Sequence, residues 1–183
     1  MMKRKVLFTG LSAMVVILAI ALYWWQANAG LKEFSSPHVS FRYPVRYAEE
    51  PRPSRPGEAD ILIRLKSSEP ESLIMLAEEK KAIKGARVTR TAFLDFLERN
   101  AERQFQLSYR GYRKTKSERI TISGREASLT EFRYTGKDGK TTAHTSFLII
   151  TREPDAYYLT IQSTDSLRVK EDTSRIRSTM AVN

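Results

Sequence analysis

From Val6 to Trp25 the chain runs for 20 residues without a charged side chain. At about 1.5 Å rise per residue, a helix of that length reaches about 30 Å, the thickness of a bilayer's hydrocarbon core. A core helix of a small protein normally keeps a polar face, and this run is apolar nearly all round. Lys3, Arg4 and Lys5 precede it, whereas only Lys32 and Glu33 stand close behind it. The positive-inside tendency therefore puts the N-terminus in the cytoplasm and everything after the run on the far side. Tyr23, Trp24 and Trp25 fall where an aromatic belt meets the far interface. Ala27-Asn28-Ala29 before Gly30 has the small-Xaa-small form that signal peptidase cuts. Two outcomes stay open: a retained single-pass anchor with a periplasmic or extracellular C-terminal domain, or secretion after cleavage following Ala29. The run exceeds the usual ~7–15 residue core of a signal peptide, which favours the anchor.

The chain thus divides into an anchor or signal segment, 1–29, and an extracytoplasmic domain, 30–183. The 154 residues of the second part suit one domain with a sizeable core. The chain has no cysteine, so disulfides, thiolate metal sites, a cysteine nucleophile and a lipid-modified cysteine are all excluded. The formal charge is +10, and without Lys3, Arg4 and Lys5 the domain still carries +7. That sign favours anionic partners and does not choose among them.

Beyond Gly30 the apolar pattern changes to period two, the mark of strands with one preferred face. Val39, Phe41 and Tyr43 share a face, and Pro44 stops that strand. Pro51, Pro53, Pro56 and Gly57 among charges predict a surface loop. Ile61, Ile63 and Leu65, then Leu73, Met75 and Ala77, predict a hairpin around Ser67-Ser68-Glu69-Pro70. The intervening Leu62, Ile74 and Leu76 are apolar too, so both faces of this sheet need cover, and helices are the usual cover. Thr91 is expected to cap a helix that buries Phe93, Leu94, Phe96, Leu97, Ala101 and Phe105. Three strands follow, one ending in Ile120 and Ile122, one over 125–135 and one over 140–151, the last two joined by Gly136-Lys137-Asp138-Gly139. Phe147 to Ile150 are apolar at both parities, which predicts a central strand. Tyr157, Leu159 and Ile161 make another, and Asp165 caps a last helix with Val169, Thr173, Ile176 and Met180 inward. The expected class is α+β: an antiparallel sheet flanked by helices on both faces, an α/β/α sandwich, preceded by one transmembrane helix.

Four stretches resemble the PsbP-like superfamily: the opening Ser40-Phe41-Arg42-Tyr43-Pro44, the turn Gly124-Arg125-Glu126-Ala127, the hairpin arm Gly139 to His144 with Tyr157-Tyr158-Leu159-Thr160-Ile161, and Ile176 to Met180 around Ser178. After the opening proline this chain has Val45-Arg46-Tyr47 where that group usually has Gly-Trp. The resemblance spans Phe34 to Val182 and implies an antiparallel sheet between helices that serves as a binding or accessory module. It supplies no catalytic residues to carry over.

The residues themselves point to no reaction. His38 and His144 are the only histidines, and a zinc site would need carboxylates to complete it. A hydrolase using His144 would lack the Gly-Xaa-Ser-Xaa-Gly elbow, and no sequence feature positions a serine beside either histidine. The adjacent acids Glu49-Glu50 and Glu78-Glu79 point apart on a strand. No phosphate loop or dinucleotide fingerprint occurs, so no cofactor is expected. Tyr109, Arg110, Tyr112, Arg113, Lys114 and Lys116 interleave aromatics with cations, as headgroup and nucleic-acid binders do. Outside the cytoplasm the fitting partners are anionic lipid, a polymer or an acidic protein face, not nucleic acid. The same cations would equally deter pairing at an exposed strand edge. A second run, Lys80, Lys81, Lys84, Arg87 and Arg90, precedes the first soluble helix. The expected role is a non-enzymatic envelope domain that binds another envelope protein, with lipid or polymer binding as the alternative. A reporter enzyme that works only after export, fused at Asn183, is expected to be active, and a cytosol-dependent reporter at the same position silent.

Overall fold

The computed structural model describes residues 30–51, 59–80, 82 and 89–183. The apolar run from Val6 to Trp25 and the cations Lys81, Lys84 and Arg87 lie outside the described residues, as do Pro53, Pro56 and Gly57. Among the described residues no helix is long and apolar enough to cross a membrane.

Alternating stretches become strands and the two capped stretches become helices. In chain order they are β1 (Leu31–Ser35), β2 (Val39–Pro44), β3 (Ala48–Glu49), β4 (Asp60–Ser68), β5 (Glu71–Glu79), α1 (Arg90–Ser108), β6 (Arg113–Ile122), β7 (Arg125–Thr135), β8 (Thr142–Arg152), β9 (Asp155–Ser163), α2 (Ser166–Thr179) and β10 (Ala181–Val182). Seven strands form one sheet in the order β3-β4-β5-β9-β8-β7-β6, and β1-β2-β10 form a second. All paired neighbours in the large sheet run antiparallel.

The doubly apolar stretch of β8 decides the layering. Leu148 and Ile150 point to one face, into a core completed by Ile74, Leu76, Tyr157 and Leu159, with Val169 and Ile176 of α2. Phe147 and Ile149 point to the other, beneath Phe93, Leu94 and Leu97 of α1. The antiparallel sheet therefore has a helix on each face, as expected. The small sheet was not foreseen: β2 leaves the large sheet and packs on α2, and its Val39, Phe41 and Tyr43 close the first core.

Several local expectations change. The cap of α1 is Thr89, whose hydroxyl accepts from the Ala92 N–H at 3.3 Å, while Thr91 lies inside the helix and its hydroxyl donates to Glu126. Phe96 is 49% exposed, because the helix presents only the ridge of Phe93, Leu94 and Leu97 to the sheet. In β5, Ile74 and Leu76 are fully buried and Leu73 and Met75 only half-buried. Asp165 does cap α2, accepting from Leu167 N–H at 2.9 Å and Arg168 N–H at 3.4 Å.

One buried polar group interrupts the first core. Asp172, on the inner stripe of α2, is 1% exposed. Its Oδ1 takes a hydrogen bond and ion pair from Arg46, and its Oδ2 accepts from the Tyr47 hydroxyl at 2.7 Å. Tyr47 also meets Ser72, which bonds Ser163 at 2.8 Å. The cluster ties the segment after β2 to α2 and to the start of β5. A buried carboxylate left alone is costly, whereas its replacement together with its partner need not be. Arg46→Met is expected to destabilise the domain by about 3 kcal/mol in denaturant unfolding, and Arg46→Met with Asp172→Leu to recover most of that loss. Additive losses in the double variant would contradict this account.

Candidate binding site

Helix α1 lies chiefly over β7 and β8, so it covers only part of its face of the sheet. Where the helix ends, the uncovered parts of β4, β5 and β9 and the β7–β8 turn enclose a groove of about 840 Å³. That is within the range of small-molecule and peptide pockets, ~300–1,000 Å³. Its floor includes Leu73, Tyr134, Ala143 and Gln162, one wall carries Arg64 and Lys66, and the other carries Tyr109 and Arg110, with Lys137 on the turn.

Local chemistry fixes these walls. The N–H of Tyr109 closes α1 on the Phe105 carbonyl at 2.9 Å. Gly111 then turns the chain at φ +68°, where a Cβ would meet Thr135 Oγ1 at 2.8 Å. Glycine is required both for the positive φ and for the close approach. The Thr135 N–H donates to the Arg110 carbonyl at 2.9 Å, which pins the turn to the end of β7. On the opposite turn, Asp138 accepts from the N–H groups of Lys140 and Thr141 and from the Thr141 hydroxyl. These bonds, the one from the Thr141 hydroxyl foremost, hold its carboxyl below the usual carboxylate range. Among the cations, Arg64 pairs with Glu50 at 3.0 Å and Lys66 with the same acid at 4.0 Å. Arg110 and Lys137 form no ion pair among the described residues, and Glu71 and Asp138 are the acids of the lining.

The six residues singled out in the sequence divide into three groups. Tyr109 and Tyr112 join an aromatic cluster with Phe105, Phe132 and Tyr134, the Tyr109 and Tyr134 centroids being 4.2 Å apart. Lys114 and Lys116 are held in ion pairs, with Glu102 at 2.7 Å and Glu118 at 2.9 Å. Arg110 and Arg113 are exposed, and only Arg110 reaches the groove. Strand β6, which carries Arg113 to Lys116, is the outer strand of the large sheet. In the second basic run, Lys80 lies 3.5 Å from Asp60.

The residues missed in the sequence are Arg64, Lys66, Tyr134 and Lys137, which sit on two separate strands and a turn. Only the antiparallel register brings them together. Register also corrects one expectation: His144 faces Ser163 on the adjacent strand. No hydrogen bond joins the two, however. Ser163 is 2% exposed, and its hydroxyl is engaged with Ser72, the Glu71 carbonyl and the Asp165 N–H. A nucleophile needs a base contact and access, and this serine has neither. No group of three or more histidine, aspartate or glutamate side chains could hold a metal ion among the described residues.

No protein-family model matches the chain, and no curated protein sequence matches it. Solved structures do. Cyanobacterial PsbP (CyanoP) from Synechocystis sp. PCC 6803 superimposes with a TM-score of 0.63 at 12% identity, covering 85% of this chain and 94% of that one. LpqN of Mycobacterium tuberculosis, involved in cell envelope biogenesis, gives 0.56 at 12% identity, over 85% and 93%. The Ran-binding protein Mog1p of Saccharomyces cerevisiae gives 0.54 at 10% identity, over 83% and 95%. The resemblance read from the four short stretches is thereby confirmed as a fold.

The aromatic cluster beside the groove has a pH signature. Burial pushes both Tyr112 and Tyr134 up to about 12, with added repulsion from Glu102 on Tyr112 and from Tyr109 and Glu71 on Tyr134. An unfolded tyrosine ionises near ~10. The neutral phenols therefore stabilise the fold fully below about pH 10, and that contribution is lost as pH rises toward 12. Phenolate absorbance is expected to appear late and together with loss of near-ultraviolet circular dichroism. Ordinary ionisation in a domain that stays folded would contradict it.

Proposed function

We propose that this chain is a non-enzymatic accessory domain of the cell envelope, held outside the cytoplasm by segment 1–29, and that it binds a protein partner through the groove at the end of α1. The observation that carries this reading is the groove itself. It is built from five strands, a helix end and a turn, it is large enough for several side chains, and it presents Arg110 and Lys137, which form no ion pair among the described residues. Cations without an ion pair among the described residues, beside Tyr109 and Tyr134, suit an extended acidic segment. Carboxylates there would meet guanidinium and ammonium groups, while tyrosine rings would give flat contact area at low entropic cost.

The neighbours in fold support a binding role. Mog1p is a Ran-binding protein and LpqN is involved in cell envelope biogenesis. A PsbP-like fold hosts such roles without a shared catalytic centre, so the groove, not the fold, carries the specific part of the reading.

Crosslinking in intact membranes followed by recovery of the chain is expected to yield a discrete envelope protein. Arg110→Glu with Lys137→Glu is expected to lower that recovery at least tenfold without changing the amount of folded domain, as reversal of two central charges would. Equal recovery with the double variant would remove the groove from the reading. Recovery of no partner from the unaltered chain would remove the partner itself.

A further inference from the structure

The cations of the groove stand on two banks. Arg64 and Lys66 lie on β4 at one side, while Arg110 and Lys137 flank the end of β7 at the other. Strands β5, β9 and β8 run between them, so the banks are four strand spacings apart, about 19 Å at ~4.8 Å each. The two banks differ in what they already hold. Arg64 and Lys66 share the carboxylate of Glu50, at 3.0 Å and 4.0 Å, so one bank carries an acid supplied by the chain itself. Arg110 and Lys137 form no ion pair among the described residues.

The floor between the banks has a different character. Leu73 and Gln162 are register partners, both half-buried, and the Gln162 amide forms no side-chain hydrogen bond among the described residues. Glu71, at the start of β5, lines the same floor. Burial, then Tyr109 and Glu71, push the Tyr134 phenol up to about 12, so the negative charge of Glu71 is felt inside the groove. Asp138, the other acid of the lining, is held within its own turn by the N–H groups of Lys140 and Thr141 at 3.0 Å and 2.9 Å. Charge across the groove therefore runs from positive, through neutral and negative, to positive again.

We infer that the groove recognises a bipartite acidic segment, two acidic residues joined by an uncharged stretch, one meeting Arg110 and Lys137 and the other displacing Glu50 from Arg64 and Lys66. The inference rests on the reading of the groove as a protein-binding site and adds the pattern that its partner carries. An extended chain advances about 3.3 Å per residue, so an acid on each bank requires a separation of about five residues. Each end would then form charge-assisted pairs. The stretch between lies over Leu73 and Gln162, an apolar side chain and an amide able to bond a peptide backbone. A third acid placed there would meet Glu71, and that repulsion discriminates against a chain that is anionic throughout. Glu50 is the internal stand-in for one of the two acids, so it competes with the partner for the β4 bank.

Fluorescence anisotropy tests this with the full-length protein in a neutral detergent and three dye-labelled, end-blocked peptides of equal length. One carries two glutamates separated by four uncharged residues, one carries two adjacent glutamates among the same residues, and one is hexaglutamate. The separated pair is expected to bind about tenfold more tightly than the adjacent pair, and at least as tightly as hexaglutamate despite its fewer charges. Glu50→Gln is expected to raise the affinity for the separated pair about fivefold, the effect of removing a competing, partly exposed ion pair. Glu71→Gln is expected to raise the affinity for hexaglutamate alone. Equal binding of the two glutamate pairs, tightest binding of hexaglutamate, no gain with Glu50→Gln or no change with Glu71→Gln would overturn the bipartite pattern and leave an acidic partner in the groove. Binding of none of the three peptides, or binding that Arg110→Glu with Lys137→Glu does not weaken, would overturn the acidic segment in the groove and the pattern built on it.

Discussion

A strand that is apolar on both sides cannot border water, and β8 is such a strand. Leu148 and Ile150 on one face and Phe147 and Ile149 on the other are each less than a tenth exposed. Removing one such side chain from water is worth about 1.5–3 kcal/mol, so neither face can be left open cheaply. Cover on both sides follows: α1 on one face, α2 with the small sheet on the other. Even the groove is a consequence, since one helix of this length and position covers only part of a seven-stranded face.

The two covers are fastened differently. Helix α2 is held from inside the core, where Asp172 gathers Arg46 and Tyr47 and links onward to Ser72 and Ser163. Helix α1 is held at its rim, where its acids meet Arg119, Ser117 and Lys114 on β6. The rim pairs are exposed and individually weak. Their larger effect is on charge distribution: they occupy the acids of α1 and leave its outward side cationic. They also occupy cations of the outer strand, an edge whose charged side chains discourage pairing with another chain.

The protein thus presents two distinct surfaces from one helix. The end of α1 borders a groove with Arg110 and Lys137, which form no ion pair among the described residues, and the outer side of α1 carries arginines between Phe96 and Leu107. An anionic partner in the groove would suit a domain that carries +7 beyond its first 29 residues. Fold likeness at 10–12% identity to CyanoP, LpqN and Mog1p establishes the frame on which these surfaces sit.

Period-two alternation and capping chemistry are local, and they were readable without a structure: β7 over 125–135, the Asp165 cap, the doubly apolar β8 and the two-sided cover all follow from neighbours in the chain. The Thr89 cap of α1 was missed because Thr91 carries the same hydroxyl two residues later, and local chemistry does not separate them. Asp172 gave one readable signal, an acid three residues after Val169 and four before Ile176 on an apolar stripe, but its partners Arg46 and Tyr47 lie more than a hundred residues away. Of the groove, only Tyr109 and Arg110 were readable. Arg64, Lys66, Tyr134 and Lys137 become neighbours only through strand order and register, which depend on long-range packing. The sequence determined what must be buried and on which side of each element; tertiary structure decided which distant residues that burial left side by side at the surface.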